Sequence, residues 1–116
     1  MVENFKTDDA EFIITAYGTV ARVCKAAVNM LREQGIKAGL VRPITLWPFP
    51  TQDMHDVIAK DAVKGVLDVE MSDGQMLEDV RLAVNGCKPV SFMGKAGSIM
   101  PTAEDICARV MEEVKK

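Results

Sequence analysis

Short apolar runs and stretches of helical periodicity alternate along this chain. Glu11-Phe12-Ile13-Ile14-Thr15-Ala16-Tyr17 is a brief β-favouring run. Gly18 ends it, Thr19 is placed to cap a helix, and Val20, Val23, Cys24, Ala27, Val28 and Leu31 then recur at the spacing of one helix face. Gly35 stands at the C′ position that closes such a helix. Ile36, Ala38, Leu40 and Val41 predict a second strand, and Thr51 caps a shorter helix with Met54, Val57 and Ile58 on one face. Gly65 to Glu70 predicts a third strand. Ser72-Asp73-Gly74 then opens a helix striped by Met76, Leu77, Val80 and Ala83 and ended at Gly86. Pro89 to Met93 is a brief fourth strand, followed by a glycine-bearing loop from Gly94 to Pro101. A last helix is capped by Thr102, with Asp105 three residues on in a variant of the capping box. Ala103, Ile106, Cys107, Val110, Met111 and Val114 form its predicted buried face, and Lys115 and Lys116 suit its C-terminal dipole end.

This alternation predicts an α/β fold: a three-layer α/β/α Rossmann-like sandwich around a mainly parallel sheet of four to five strands. Right-handed crossovers favour the flavodoxin-like order 2-1-3-4, in which the ends of the first and third strands meet at the topological switch point. Gly18 and Thr19 then lie beside Glu70, Ser72, Gly74 and Gln75. Residues 1–9, polar and acidic, read as a linker remnant, and residues 10–116 as the domain.

A chain of 116 residues suits one domain and is short for a complete cofactor enzyme. A net charge of -3 gives no electrostatic case for nucleic acid or an anionic membrane. No apolar run approaches transmembrane length and the first residues lack signal-peptide zones, so a cytoplasmic protein is expected. Cys24, Cys87 and Cys107 are odd in number and far apart, which predicts free thiols rather than a disulfide framework or a metal site. His55, the only histidine, has no ligand-type neighbours at metal spacing and reads as a helix-surface residue.

The densest feature is Arg42-Pro43-Ile44-Thr45-Leu46-Trp47-Pro48-Phe49-Pro50. Its three prolines describe a stiff, non-helical crossing. Trp47 and Phe49 alternate along it, either as anchors in the domain's own core or as a docking surface for another domain. Three loops lead into helix N-termini that offer free N–H groups, but none carries a phosphate-loop signature, and capping alone calls for small residues there. Glu70 ends a buried strand and is the best candidate for a functional carboxylate; a salt bridge with Arg42 is the preferred alternative. No serine-histidine, cysteine-histidine or paired-carboxylate constellation assembles, so no catalytic, cofactor-binding or metal-binding residue is assigned. A free-standing flavodoxin-like module binding a flavin or a phosphorylated small ligand is the alternative reading, although no aromatic-rich loop stands beside the glycines.

Asp9-Ala10-Glu11, Ala16-Tyr17-Gly18-Thr19-Val20-Ala21, the segment Gly39 to Pro50, and Gly74-Gln75-Met76 with Asp79-Val80 together resemble the C-terminal part of the α subunit of the 2-oxoacid:ferredoxin oxidoreductases. The likeness runs nearly end to end and is greatest to the 2-oxoisovalerate (branched-chain) and 2-oxoglutarate types. It implies a transketolase C-terminal-like domain. It also implies an antiparallel edge strand ahead of the first strand, which residues 1–9 are short to supply. In that family thiamine diphosphate with magnesium, iron-sulfur clusters and coenzyme A carry out oxidative decarboxylation of the 2-oxoacid and reduce ferredoxin. The resemblance gives this domain the task of holding subunits together: Gly18, Thr19, Arg42, Pro43, Trp47, Pro48, Phe49, Glu70, Gly74 and Gln75 match the family's positions. Ser72 departs from its usual asparagine. The implied partners are the N-terminal pyrimidine-binding domain of the same subunit, the β, γ and δ subunits, and ferredoxin through the whole enzyme. Alone, the domain is expected to be inactive and to self-associate, as in a homodimer, through the surface its partners cover.

Overall fold

Two strands, Phe12–Ala16 (β2) and Gly65–Glu70 (β4), are buried along their whole length. Apolar side chains on both faces of a strand demand cover on both sides, and the chain supplies it. The structure, a computed structural model, describes residues 2–18, 20–43, 51–70, 80, 88–94 and 101–115. The other described strands are Val2–Phe5 (β1), Ala38–Pro43 (β3) and Val90–Gly94 (β5). The described helices are Val20–Glu33 (α1), Thr51–Ile58 (α2) and Ala103–Lys115 (α3).

The sheet runs β1-β3-β2-β4-β5, with β3, β2, β4 and β5 mutually parallel and β1 antiparallel at the edge. Among the parallel strands this is the order expected from the alternation. One face carries α1 and α3 over Ile14, Ala16, Leu40, Leu67 and Val69. The other carries α2 through Met54, Val57 and Ile58, with Val80, over Ile13, Val41 and Val66. Apart from Val80, the predicted helix between Ser72 and Gly86 lies outside the described residues, as does Cys87.

Local chemistry sets the helix ends. Gly35 takes φ 86°, its N–H donates to Arg32 O at 3.1 Å and the Ile36 N–H to Leu31 O at 3.0 Å. This is a Schellman closure, with Ile36 packed on the cluster that holds Leu31. At α3 the Asp105 N–H donates to Thr102 Oγ1 and the Thr102 N–H to Asp105 Oδ2, both at 3.1 Å, so the capping-box variant forms.

Two expectations change. Part of the segment read as linker is built into the sheet: Val2–Phe5 pairs with β3 and supplies the edge strand. Its amino acids give little local signal, and long-range groups hold it. Glu3 faces Arg42 across the ladder, with Oε1 at 3.2 Å from Arg42 Nε and 3.1 Å from Lys25 Nζ. Arg32 staples the chain after β1, donating to Lys6 O at 2.7 Å, Ala38 O at 2.8 Å and both carboxylate oxygens of Asp9. Lys6 adopts φ 56° where the chain leaves the strand. The second change is Val114, which is 48% exposed rather than buried, because the last turn of α3 extends past the core.

Candidate functional site

Ala16 and Val69 stand opposite each other in the β2–β4 register, so the two strands end side by side at the switch point. Gly18 follows β2 with φ 74°, a conformation that disfavours any side chain, and its carbonyl accepts the Ala21 N–H at 3.1 Å as α1 begins. Tyr17 beside it is exposed at 43%. Glu70 ends β4 and is 7% exposed.

The chemistry here centres on a residue that the sequence reading passed over. Asp68 lies two positions before Glu70, so both side chains leave β4 on the α2 face. Asp68 is fully buried, and the Thr15 hydroxyl opposite donates to its Oδ1 at 3.0 Å. Among the described residues no hydrogen-bond donor reaches the buried Asp68 Oδ2. Burial pushes the Asp68 carboxyl up from its ordinary 3.8 to about 9, with hydrogen bonding and like charge from Glu70 adding to the rise and Thr15 opposing it. The missed signal was the alternation itself: two acids two residues apart in a strand buried on both faces must share one face. Across the sheet, burial pushes the Cys24 thiol up to about 12, with a further contribution from Asp68.

Arg42 does not pair with Glu70. Strand β2 lies between β3 and β4, and Arg42 is taken by Glu3 in register with it. Pro43 closes β3 opposite Val2. Thr19, Trp47, Pro48, Phe49, Gly74 and Gln75 lie outside the described residues. The structure therefore brings together Gly18 and Glu70 at the switch point and sets Arg42 one strand further out.

At the opposite, N-terminal end of the sheet a hollow of about 380 Å³ opens between Phe12, Ile36, Val66 and Val114, with Lys37 and Lys64 also lining it. In its wall the Ser91 hydroxyl donates to Glu113 Oε1 at 2.6 Å. Among the described residues no three histidine, cysteine or acidic side chains converge as metal ligands, and no helix is long and apolar enough to cross a membrane.

The chain is similar to a ketoisovalerate oxidoreductase subunit VorB of Methanothermobacter marburgensis, 39% identical over 110 residues, covering 95% of this chain and 30% of that protein. A 2-oxoglutarate synthase subunit KorA of the same organism is 32% identical over 105 residues, covering 90% of this chain and 28% of that subunit. The chain thus spans about three tenths of the length of these curated relatives. Among solved structures it resembles the 2-oxoglutarate:ferredoxin oxidoreductase of Magnetococcus marinus, with a TM-score of 0.82 at 26% identity over 98% of this chain and 20% of that one. A transketolase from Campylobacter jejuni shares the fold, with a TM-score of 0.64 at 18% identity over 90% of this chain and 17% of that one. The mixed sheet, its layers and its antiparallel edge are thus those of a transketolase C-terminal-like domain. Residues 10–106 match the family described as pyruvate:ferredoxin oxidoreductase core domain II, and the chain belongs to that family.

Proposed function

We propose that this chain is a non-catalytic assembly domain of a thiamine-diphosphate-dependent 2-oxoacid:ferredoxin oxidoreductase, an enzyme that converts a 2-oxoacid to its acyl-coenzyme A and reduces ferredoxin. The two relatives named above motivate 2-oxoisovalerate and 2-oxoglutarate as the substrates to try. One observation carries the non-catalytic reading. At the strand ends where open α/β sheets usually offer reacting groups, the two described acids of β4 are turned inward, Asp68 against Thr15 and Glu70.

Thiamine diphosphate would supply the carbanion chemistry of the whole enzyme. The donor set described here does not suit its magnesium: no three ligands converge, and Asp68 is a fully buried acid whose carboxyl resists ionisation. What this chain's residues do, in this reading, is present the C-terminal edge of the sheet, with Gly18, Arg42 and Glu70, to the pyrimidine-binding domain and the β subunit. The segment carrying Trp47 and Phe49 and the Gly74-Gln75 element would extend that surface.

The test is co-expression with the remaining α portion and the β subunit, followed by size-exclusion chromatography and 2-oxoacid-dependent dye reduction. Co-elution, with activity lost when this chain is omitted or when Trp47→Ala is combined with Phe49→Ala, is the expected result. Separate elution with activity indifferent to the chain overturns the proposal.

A further inference from the structure

From Phe12 to Arg32 the chain carries Arg22, Lys25 and Arg32 and not one acid, although the whole chain has a net charge of -3. Helix α1 keeps these cations on one face, where Arg22, Lys25, Asn29 and Arg32 follow at intervals of three and four residues. The neighbouring strands add to that face. Lys6 Nζ donates to Asn29 Oδ1 at 2.7 Å and lies 5.4 Å from the centre of the Phe5 ring, and Lys25 Nζ lies 5.6 Å from the same ring. Lys25 also meets Glu3 Oε1 at 3.1 Å, the oxygen that faces Arg42 Nε at 3.2 Å. One ring and one carboxylate thus gather three cations. Arg22, exposed one turn earlier on α1, forms no ion pair among the described residues.

Local stability does not call for this arrangement. Arg22 stands in the first turn of α1, where a cation opposes the helix dipole and no acid offsets it, whereas α3 starts with Glu104 and Asp105. Four like charges around one carboxylate also repel one another, and a further carboxylate brought from outside relieves that repulsion. Lys25 and Arg42 keep over a third of their side-chain surface exposed and so can meet it.

We infer that Lys6, Arg22, Lys25 and Arg42 form an electrostatic docking strip along the seam between α1 and the β1–β3 edge for the acidic surface of another subunit, with exposed Tyr17 as the aromatic contact at its switch-point end. This rests on the assembly reading above and names the chemistry of one partner face. A folded protein fits the strip better than a polyanion does. The net charge of -3 repels nucleic acid and anionic membranes, Glu3 stands among the cations, and α3, packed on α1 where the Cys107 thiol donates to Ala27 O at 3.4 Å, begins with two acids. A partner whose carboxylates are grouped can match the strip and avoid those acids.

The experiment is sedimentation velocity of the 116-residue chain with the co-expressed remaining α portion and β subunit, at about 50 mM and about 500 mM NaCl. The expected result is an association that weakens with salt. Arg22→Glu should weaken it about tenfold at low salt and much less at high salt, with Arg22→Gln between the two. The thermal midpoint of Arg22→Glu should be unchanged or raised, since an acid suits the start of a helix, which separates lost docking from lost folding. Tyr17→Ser should weaken binding at both salt concentrations. A carbodiimide, which joins an amine to a carboxyl group with loss of water, should couple Lys6 to an aspartate- or glutamate-bearing peptide of a partner subunit. Parent-like affinity of Arg22→Glu at low salt overturns the strip and leaves the assembly reading standing. No association of the parent chain at either salt concentration overturns the assembly reading and the strip with it. Capture of duplex DNA or phosphatidylserine vesicles through Arg22, in place of a subunit, also overturns the strip.

Discussion

Thr15 and Asp68 face each other across the two central strands, and the hydroxyl donates to the carboxyl at 3.0 Å where every other inward-facing neighbour in those strands except Glu70 is apolar. Thr15→Val leaves Asp68 buried without that donor and is expected to cost about 1–3 kcal/mol in urea denaturation. Combining Thr15→Val with Asp68→Leu removes both polar partners and is expected to recover much of the loss. A double variant as unstable as the sum of the singles would contradict this account.

Gly39 is expected to be sensitive to a single methyl group. A Cβ placed there comes within 2.8 Å of Lys6 O and 3.0 Å of Ala10 Cβ, both on the chain that leaves the edge strand. Gly39→Ala should destabilise the fold by roughly 1–3 kcal/mol and strip exchange protection from β1 before the central strands. Uniform loss across the sheet would point to another cause.

The Thr102–Asp105 box closes the start of α3 with two reciprocal 3.1 Å bonds. Thr102→Ala should cost about 1 kcal/mol, read as a lowered thermal midpoint, and Thr102→Asn much less. Equal losses for the two would remove the cap from the explanation.

Asp9 is held below its ordinary value of 3.8 chiefly by hydrogen bonding to the Arg32 guanidinium, and Glu3 below 4.5 chiefly by Lys25. Such depressed groups stabilise the fold above their ordinary values and lose that contribution as pH falls through the lowered ones. Proton NMR titration should find both midpoints low. Arg32→Ala should return Asp9 to the ordinary range while leaving Glu3 in place, and a shift of both together would mean that the edge had unfolded.

Cys24 is fully buried and its thiol is pushed up to about 12, so a disulfide reagent at mildly alkaline pH should leave it unmodified until the chain is denatured. Mass spectrometry of the modified peptides reads this directly. Labelling of Cys24 in the native state at the rate seen in denaturant would show that α1 opens readily.

What the sequence made legible follows from how local each cause is. Gly35 and the Thr102–Asp105 pair announce helix ends because the groups that satisfy the backbone lie within a few residues of it. The strand order followed from apolar runs separated by helical spacing. β1 was hidden because Val-Glu-Asn-Phe has no such pattern; its partners, Arg42 and Lys25, are far along the chain. Glu70 stood out by ending an apolar run, whereas Asp68 inside the same run drew no notice, although its burial has the larger electrostatic consequence. The Arg42–Glu70 pairing failed for a related reason: strand ends that look adjacent in sequence order are separated by β2 in the sheet.

The antiparallel edge also decides how the molecule can be handled. Because Val2 pairs with Pro43, the chain enters beside the C-terminal ends of the parallel strands, while Glu113 and Val114 of α3 lie at the other end, around the hollow. An affinity handle or fluorescent reporter fused before Val2 will therefore emerge beside the switch point and crowd whatever docks there. The same cargo fused after α3 leaves that edge clear, so the pull-down that reports assembly is the one tethered on the α3 side.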